Sequence, residues 1–404
     1  MQSPANQRAV RRHNLGIVLG HVVRTGPRSR ATIAQETGLN KSTVSSLVTE
    51  LIELGLLAER GAERTGSVGR PGLVVEVAAD GAAGVGLEVN VDYLSVRVVD
   101  MAGGVRHRAL QAADLRDRPP EETLDALAAM ARSALERLQA EGVRAAGITV
   151  ALPGLVDAGS GTLLLAPNLH WEDVPVATAL AERLGDAGPR PTADNEANLA
   201  AVAELREGAG RGLASFVHVS GEVGIGAGIV LDGMIFRGAH GFGGEFGHMT
   251  VDPDGPPCAC GSRGCLETRA GLEALLAAAG EQEPDRVPSG EPVSRLAARA
   301  DAGDPAAVEA LRDAGRWLGI ALGSAANLLD PQAFVLGGFL APLAAHIAPA
   351  AEEELRRRVL GAGRRMPRLI TSPLGPEAAV RGAAALALAR LVDDPGMLAE
   401  DGRD

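Results

Sequence analysis

This sequence is short of several things at once. Its 404 residues include one tyrosine, two tryptophans and six phenylalanines, so aromatic side chains make up only 2 %. Ala, Leu, Val and Gly fill the apolar positions instead. Hydrophobic residues still reach 46 %, which marks a globular chain long enough for more than one domain. Lysine occurs once, at Lys41. Arg replaces it throughout, as a GC-rich codon bias would do, so arginine alone carries little functional signal. No run of about 18 apolar residues occurs, and MQSPANQRAVRRHN at the N-terminus has no apolar signal core. The three cysteines are an odd number that no disulfide framework uses completely. The expectation is a soluble cytoplasmic protein with no membrane attachment.

Charge is unevenly placed. Net charge is −12, yet residues 1–77 hold ten Arg and Lys against six Glu, a net of +4. The remainder holds 29 basic against 45 acidic residues, a net of −16. A basic head on an acidic body implies that only the head meets a polyanion. The body would repel DNA, and nucleotide phosphates too unless local loops compensate.

In the head, SRATIAQETGLNKSTVSSLVTELIELGLL (29–57) reads as helix, tight turn, helix. Ile33 and Ala34 open an apolar face, Gly38 permits a left-handed turn, Leu39 plugs the angle, and Asn40 can cap the second helix. Val44, Leu47, Val48 and Leu51 repeat at helical spacing. The opposite face carries Lys41, Ser42, Thr43, Ser45, Ser46 and Thr49, with Arg30 upstream. These short polar side chains suit phosphates and base edges in a major groove. NLGIVLGHVVR (14–24) would complete a three-helix core, and LLAERGAERTGSVGRPGLVVEV (56–77) reads as a two-stranded wing with Arg64 and Arg70 at its tip. A plain helical hairpin with a solvated face has the same periodicity. Turn, polar face, wing and charge asymmetry together favour double-stranded DNA, and the pattern resembles winged helix-turn-helix domains of bacterial repressors.

Beyond residue 80, GAAGVGLEVNVDYLSVRVVDMAGGVRHRAL (81–110) reads as a hairpin across a Gly-Gly turn. A helix (121–140) and a buried strand (145–152) follow. Later strands lie in SFVHVS, GIGAGIVLDGMIF and AFVLGG, between Ala/Leu-rich helices. This is α/β architecture with room for two related lobes. Glycines at strand ends (Gly224, Gly226, Gly228, Gly337, Gly338) let ligands approach backbone N–H groups, though they also serve as ordinary turn chemistry.

All three cysteines fall in Cys258-Ala-Cys260-Gly-Ser-Arg-Gly-Cys265, ten residues after His248. Three thiolates and one imidazole make a closed tetrahedral Zn²⁺ site with no position for a reactive water, so the metal would be structural. Three reduced thiols beside an unrelated histidine are the alternative. Confinement to one Gly/Pro loop argues against it, because core cysteines scatter.

GEFGH (244–248) followed by CACGSRGCLE (258–267) resembles the signature of the ROK family, which contains sugar kinases and sugar-responsive repressors. ALPGLVD, PNLHW, DNEANLAAVAE, GIGAGIVLDGMIFRGAHGFGGEFGH and FVLGG fall in the family's order across most of residues 81–390. The resemblance implies an actin-like (ribonuclease H-like) fold of two α/β lobes around a cleft. A fused helix-turn-helix is what the family's repressors carry and its kinases lack. The chain then divides into a winged helix-turn-helix at 1–80 and an effector domain at 81–404, with the zinc loop at 248–265.

The family's kinases hold ATP with an acidic-x-Gly-Gly-Thr loop. LEVNVDYL stands in its place: Glu88 keeps the acid, Asn90 and Val91 replace the glycines, and Asp92 replaces the threonine. Side chains then fill space needed for backbone approach, and Asp92 adds negative charge. Two unit charges ~4 Å apart repel by roughly 4 kcal/mol at an effective dielectric of ~20. The second phosphate loop, Gly-Thr-Gly-Ile-Gly in kinases, is Glu222-Val223-Gly224-Ile225-Gly226, with a further carboxylate. Both changes disfavour nucleotide.

The sugar side matches better. Asn195 and Glu196 fall on the family's Asn-Asp motif, whose Asp is the general base. Glu196 keeps the carboxylate one methylene further out, which can accept a hydroxyl while losing in-line geometry. Glu245, His248 and Glu267 match the family's sugar contacts, and Asn168 in PNLHW is another candidate. Competing readings are helix capping for Asn195 and Asn198, a turn for Asn168, and surface ion pairs for Glu245 and Glu267.

The resulting expectation is a transcriptional regulator, by default a repressor. A sugar or phosphosugar would close its cleft and reposition two heads in a homodimer or homotetramer. No catalytic residue is expected. The alternatives are an active hexose kinase with a fused head, a zinc sensor, and a regulator answering to a protein partner.

Overall fold

The structure is a computed structural model that describes residues 7–62, 73–222, 224–281 and 290–396. The head comprises α1 (Gln7–Thr25), β1 (Arg28–Ser29), α2 (Arg30–Thr37), α3 (Lys41–Glu53), β2 (Leu57–Ala62) and β3 (Leu73–Val77). Gly38 takes φ 74° and its N–H donates to the Ala34 carbonyl. Asn40 caps α3 by accepting from the Thr43 N–H at 2.8 Å. Val44, Leu47, Val48 and Leu51 are buried in a cluster with Leu15, Val18, Leu19 and Val22 of α1 and Ile33 of α2. β2 and β3 pair antiparallel as a wing, with β1 added to β3. The wing tip, with Arg64 and Arg70, lies outside the described residues.

The first lobe holds β4 (Ala82–Val89), β5 (Tyr93–Asp100), β6 (Val105–Ala112), α4 (Pro120–Ala140), β7 (Arg144–Leu152), β8 (Leu155–Asp157), β9 (Thr162–Ala166), β10 (Trp171–Val174), α5 (Val176–Leu184) and β11 (Pro191–Asn195). Its main sheet runs β11-β7-β4-β5-β6. This is an antiparallel meander of β4, β5 and β6, extended beside β4 by two parallel strands. The stretch read as a hairpin is thus three strands. A second turn at Asn90–Asp92, where Asn90 Oδ1 accepts from the Asp92 N–H at 3.2 Å, reverses the chain before the Gly-Gly turn does.

The second lobe holds α6 (Glu196–Glu207), β12 (Phe216–Gly221), β13 (Ile225–Leu231), β14 (Met234–Phe236), α7 (Glu267–Ala270), α8 (Leu272–Ala278), α9 (Gly290–Asp301), α10 (Pro305–Leu329), β15 (Ala333–Gly338), α11 (Leu340–Arg358), β16 (Arg368–Thr371) and α12 (Ala378–Asp393). Its sheet runs β14-β13-β12-β15-β16, again a three-strand meander extended by two parallel strands. The two lobes repeat one topology, as the two-lobed α/β fold requires. GIGAGIVLDGMIF is itself a hairpin, turned by Asp232 (φ 50°) and Gly233 (φ 75°). No described helix is long and apolar enough to cross a membrane.

Two helices exchange between the lobes. α6 follows β11 of the first lobe but packs on β12 and β13 of the second, and α12 follows β16 of the second but packs on β4, β5 and β7 of the first. The period-two pattern of β4 explains the seat of α12. Ala83, Val85, Leu87 and Val89 face the α4 core, while Gly84 and Gly86 lie against Ala384 of α12. Glu88, next on that face, emerges beyond the start of α12. The two helices meet where a Cβ on Gly382 would lie 3.1 Å from Leu199 Cα and closer to its carbonyl.

α12 also reaches the head. Leu388 and Leu391 belong to the head's apolar cluster, together with Ala82 and Met101. A Cβ on Gly16 would lie 3.1 Å from the Asp393 carbonyl carbon and closer to its oxygen. Arg12 Nε donates to Asp394 Oδ1 at 2.9 Å. One helix therefore starts at the cleft and ends under α1.

Candidate functional site

The metal loop is built by two isolated bridges, Thr250 with Cys265 and Pro257 with Arg263, which fold the cysteines back toward His248. The ligand atoms of His248, Cys258, Cys260 and Cys265 all lie within 4.8 Å of one another. Cys258 Sγ is 3.7 Å from His248 Nδ1, and Cys260 Sγ is 3.7 Å from Cys265 Sγ. A tetrahedron with bonds of about 2.3 Å has edges of about 3.8 Å. The donor set and its spacing therefore fit a four-coordinate ion, and these four residues can hold one.

Glu267 ties this loop to the cleft. Its Oε1 lies 3.4 Å from Cys258 Sγ and 3.6 Å from His248 Nδ1. Its Oε2 would be 2.6 Å from a Cβ on Gly224, so a side chain there would displace the carboxylate from this position. Asn168, Asn195, Glu196, Glu245, His248 and Glu267 all line one cavity of about 110 Å³ between the lobes. These are the six residues singled out from the sequence, delivered by four separate segments of chain.

Their chemistry differs in detail. Glu196 opens α6, and burial, with Glu245 nearby, pushes its pKa up to about 7. Burial also raises Glu245, opposed by His248 and reinforced by Glu267. Asn195 is largely spent on structure. Its Oδ1 accepts from the Ala197 and Asn198 N–H groups, and its Nδ2 donates to the Gly154 carbonyl at 2.9 Å. The capping role that competed with sugar contact in the sequence is present. Asn168 is exposed in a 3₁₀ turn after Pro167.

On the other side of the cleft lies a cavity of about 700 Å³ lined by Glu88, Asp92, Tyr93, Arg97, Glu222 and Glu377 among others. Two sequence readings need correction. Val91 turns into the α4 core and leaves the cleft clear. Asp92 is paired with Arg116 at 2.9 Å, which offsets its charge. Glu222 lines this cavity, hydrogen-bonded by Asn90 from the opposite lobe and held well above the usual carboxylate range by burial and by Glu196, Glu88 and Asp92. Glu88 is pushed up to about 8, chiefly by burial, although Tyr93 Oη donates to it at 2.9 Å. The sequence reading missed Tyr93, Arg116 and the Arg97–Glu377 pair at 2.6 Å. No local motif marks them; they meet only through the sheet.

On the head, Lys41, Ser42, Ser45, Ser46 and Thr49 are exposed on α3, and Thr43 is half-buried. Arg30 folds over this face, with Nη1 donating to the Ser45 carbonyl at 2.6 Å and to Thr49 Oγ1 at 3.1 Å, and Nε pairing with Glu59 at 2.8 Å. Arg11 of α1, not singled out from the sequence, reaches Ser46 at 3.3 Å and pairs with Glu50.

Residues 84–390 match the sequence model of the ROK family, and residues 16–66 match that of the MarR family. The chain is similar to the xylose repressor of Bacillus subtilis (strain 168), with 31 % identity over 392 residues covering 96 % of this chain and 98 % of that protein. A solved ROK family transcriptional regulator, described as a homolog of the E. coli MLC protein, superposes with a TM-score of 0.80 at 28 % identity, covering 97 % of this chain and 98 % of its own. A ROK family glucokinase from Streptomyces griseus, in complex with glucose and AMPPNP, superposes with a TM-score of 0.66 at 29 % identity and covers 76 % of this chain. The regulators span head and body, whereas the kinase spans only as much as the body alone. The chain belongs to the ROK family.

Proposed function

We propose that this chain is a DNA-binding transcriptional repressor whose cleft binds a sugar effector that weakens its hold on an operator. One observation carries the reading: a helix-turn-helix face is joined, through α12, to a cleft that collects six sugar-type polar groups while the acidic residues Glu88, Asp92, Glu222 and Glu377 line its other side. The similar xylose repressor and regulator structure support it. Residues 1–80 would act as the reader and 81–404 as the sensor. Lys41, Ser42, Thr43, Ser45, Ser46, Thr49 and Arg30 would meet double-stranded DNA, with Arg64 and Arg70 on the wing.

The metal reading is a structural zinc ion held by His248, Cys258, Cys260 and Cys265. When bound, it supplies rigidity, fixing the loop from which His248 and Glu267 face the cavity before sugar arrives. No catalytic role is assigned. Glu196 stands at the general-base position, but its longer arm and the acidic residues lining the larger cavity disfavour in-line transfer. Two heads in a homodimer or homotetramer would read half-sites about one helical turn apart or a multiple of that. The protein would work free of the membrane, in the cytoplasm.

A footprint over the DNA upstream of the protein's own coding region, titrated with D-xylose and D-glucose, tests the reading. Protection that fades with sugar is expected; protection indifferent to every sugar contradicts the sensor half. The competing kinase reading is checked by ADP release with hexose, Mg²⁺ and ATP. Turnover of about 1–100 s⁻¹ would establish it.

A further inference from the structure

Resting on the repressor reading, we infer that Arg144 of the first lobe is a positioning residue for DNA binding. It holds the carboxyl end of α3 and so sets the angle at which that helix meets the duplex. The argument starts from what α3 lacks. Its last turn carries no basic residue, while Glu50 and Glu53 stand near its end. The carboxyl end of a helix is the negative pole of its dipole, and its last carbonyls have no intrahelical partners. Three carbonyls here are satisfied within the head: that of Glu50 by the Leu54 N–H at 2.9 Å, that of Leu51 by the Leu56 N–H at 2.8 Å, and that of Ile52 by the Gly55 N–H at 2.9 Å. The Leu54 carbonyl is reached from outside, by Nη2 of Arg144. The head supplies the acceptor and the body supplies the missing cation.

The contact has a firm base. Arg144 opens β7, an interior strand between β11 and β4. The chain joining head to body is fastened at the same place. A Cβ on Gly81 would lie 3.0 Å from the Gly55 carbonyl carbon and closer to its oxygen, and the Leu56 carbonyl accepts from the Ala78 N–H at 3.0 Å. Arg106 of β6 pairs with Asp80 in this linker, with Glu141 before β7 at 3.0 Å and with Asp100 at 3.3 Å. A cavity of about 910 Å³ lies between head and first lobe here, with Leu54 and Arg144 both in its wall. The guanidinium thus spans a gap that packed side chains leave open. The 13 residues of α3, at about 1.5 Å each, put it roughly 20 Å along the axis from Lys41. A recognition helix reads bases with its N-terminal residues, so tilting α3 about its carboxyl end moves Lys41 and Ser42 most. Arg144 acts through the helix, without touching a phosphate.

The test measures affinity by fluorescence anisotropy over a series of salt concentrations, with labelled DNA from upstream of the coding region. It compares the full-length parent with Arg144→Ala and Arg144→Lys. Only one nitrogen of Arg144 is used, so lysine can supply both donor and charge. Expected is binding about 5-fold weaker for Arg144→Ala, an unchanged slope of log affinity against log salt, and near-parental binding for Arg144→Lys. Melting temperatures should agree within about 2 °C. Arg144→Ala binding within about 2-fold of the parent overturns the inference. So does a slope reduced by about 1, which marks a direct phosphate contact. Failure of lysine to restore binding, or a larger fall in melting temperature, overturns it as well. Each of these outcomes leaves the repressor reading standing, whereas a parent that binds no such DNA removes both.

Discussion

The contact between Gly16 of α1 and the carbonyl of Asp393 at the end of α12 gives the sharpest handle on coupling. In Gly16→Ala the new methyl would overlap a backbone carbonyl, which has no rotamer to escape into. Restoring a carbon–oxygen separation of about 3.3–3.6 Å requires the helices to part by roughly 1 Å. Overpacking of this kind costs about 1–3 kcal/mol, as much as a typical allosteric coupling energy, about 1–3 kcal/mol or 5–150-fold in affinity. Gly16 is not itself a member of the cluster that packs α1 on α2 and α3. The variant should therefore bind operator within about 3-fold of the parent and bind sugar normally, while the sugar-induced loss of DNA affinity shrinks to under about 3-fold. Fluorescence anisotropy on labelled operator, with and without saturating sugar, reads both terms. Arg12→Ala is the control, because the Arg12–Asp394 pair is partly exposed and worth under about 1 kcal/mol. A Gly16→Ala protein with the full parental sugar response would refute transmission through α12.

Cys265→Ser removes a fully buried ligand and should lower metal content from one ion per chain to none by atomic emission, with a fall in melting temperature and loss of sugar stabilisation; undiminished metal would exclude this ligand set. Glu88 has a folded pKa of about 8 against 4.5, so its favourable contribution is full below pH 4.5 and is lost as pH rises through 8. Glu88→Gln, which cannot ionise, should gain roughly 2–3 kcal/mol on the parent between pH 6 and pH 9 in urea melts, and an equal difference at both pH values would contradict the burial argument. Lys41→Ala should weaken operator binding and reduce the slope of log affinity against log salt by about 1; an unchanged slope would remove Lys41 from the phosphate contacts.

Legibility followed the range of the interactions involved. The helix-turn-helix could be read because its determinants are local: Gly38 for the turn, Asn40 for the cap and four apolar residues at helical spacing. The metal donors could be read because cysteine is scarce and clustered. The cleft carboxylates were found through motif resemblance, since Glu196, Glu245 and Glu267 meet only after two lobes fold. The loop before Tyr93 was legible only as residue types. Asn90 does bond Glu222, but residue type could not say that Val91 points into the core or that Arg116, 24 residues on, offsets Asp92. The seat of α12 was invisible, because AAVRGAAALALARLVD is small or apolar at every position but Arg381, Arg390 and Asp393, and its partners on β4 and α1 lie nearly 300 residues or more away.

The account stands most directly on one titration. Full-length protein is bound to labelled DNA from upstream of its coding region, and anisotropy is followed as D-xylose or D-glucose is added, in parallel with ATP. The account predicts that a neutral sugar releases the DNA while ATP does nothing and is not consumed. A complex that ignores every sugar, or that answers only when ATP is hydrolysed, would contradict it.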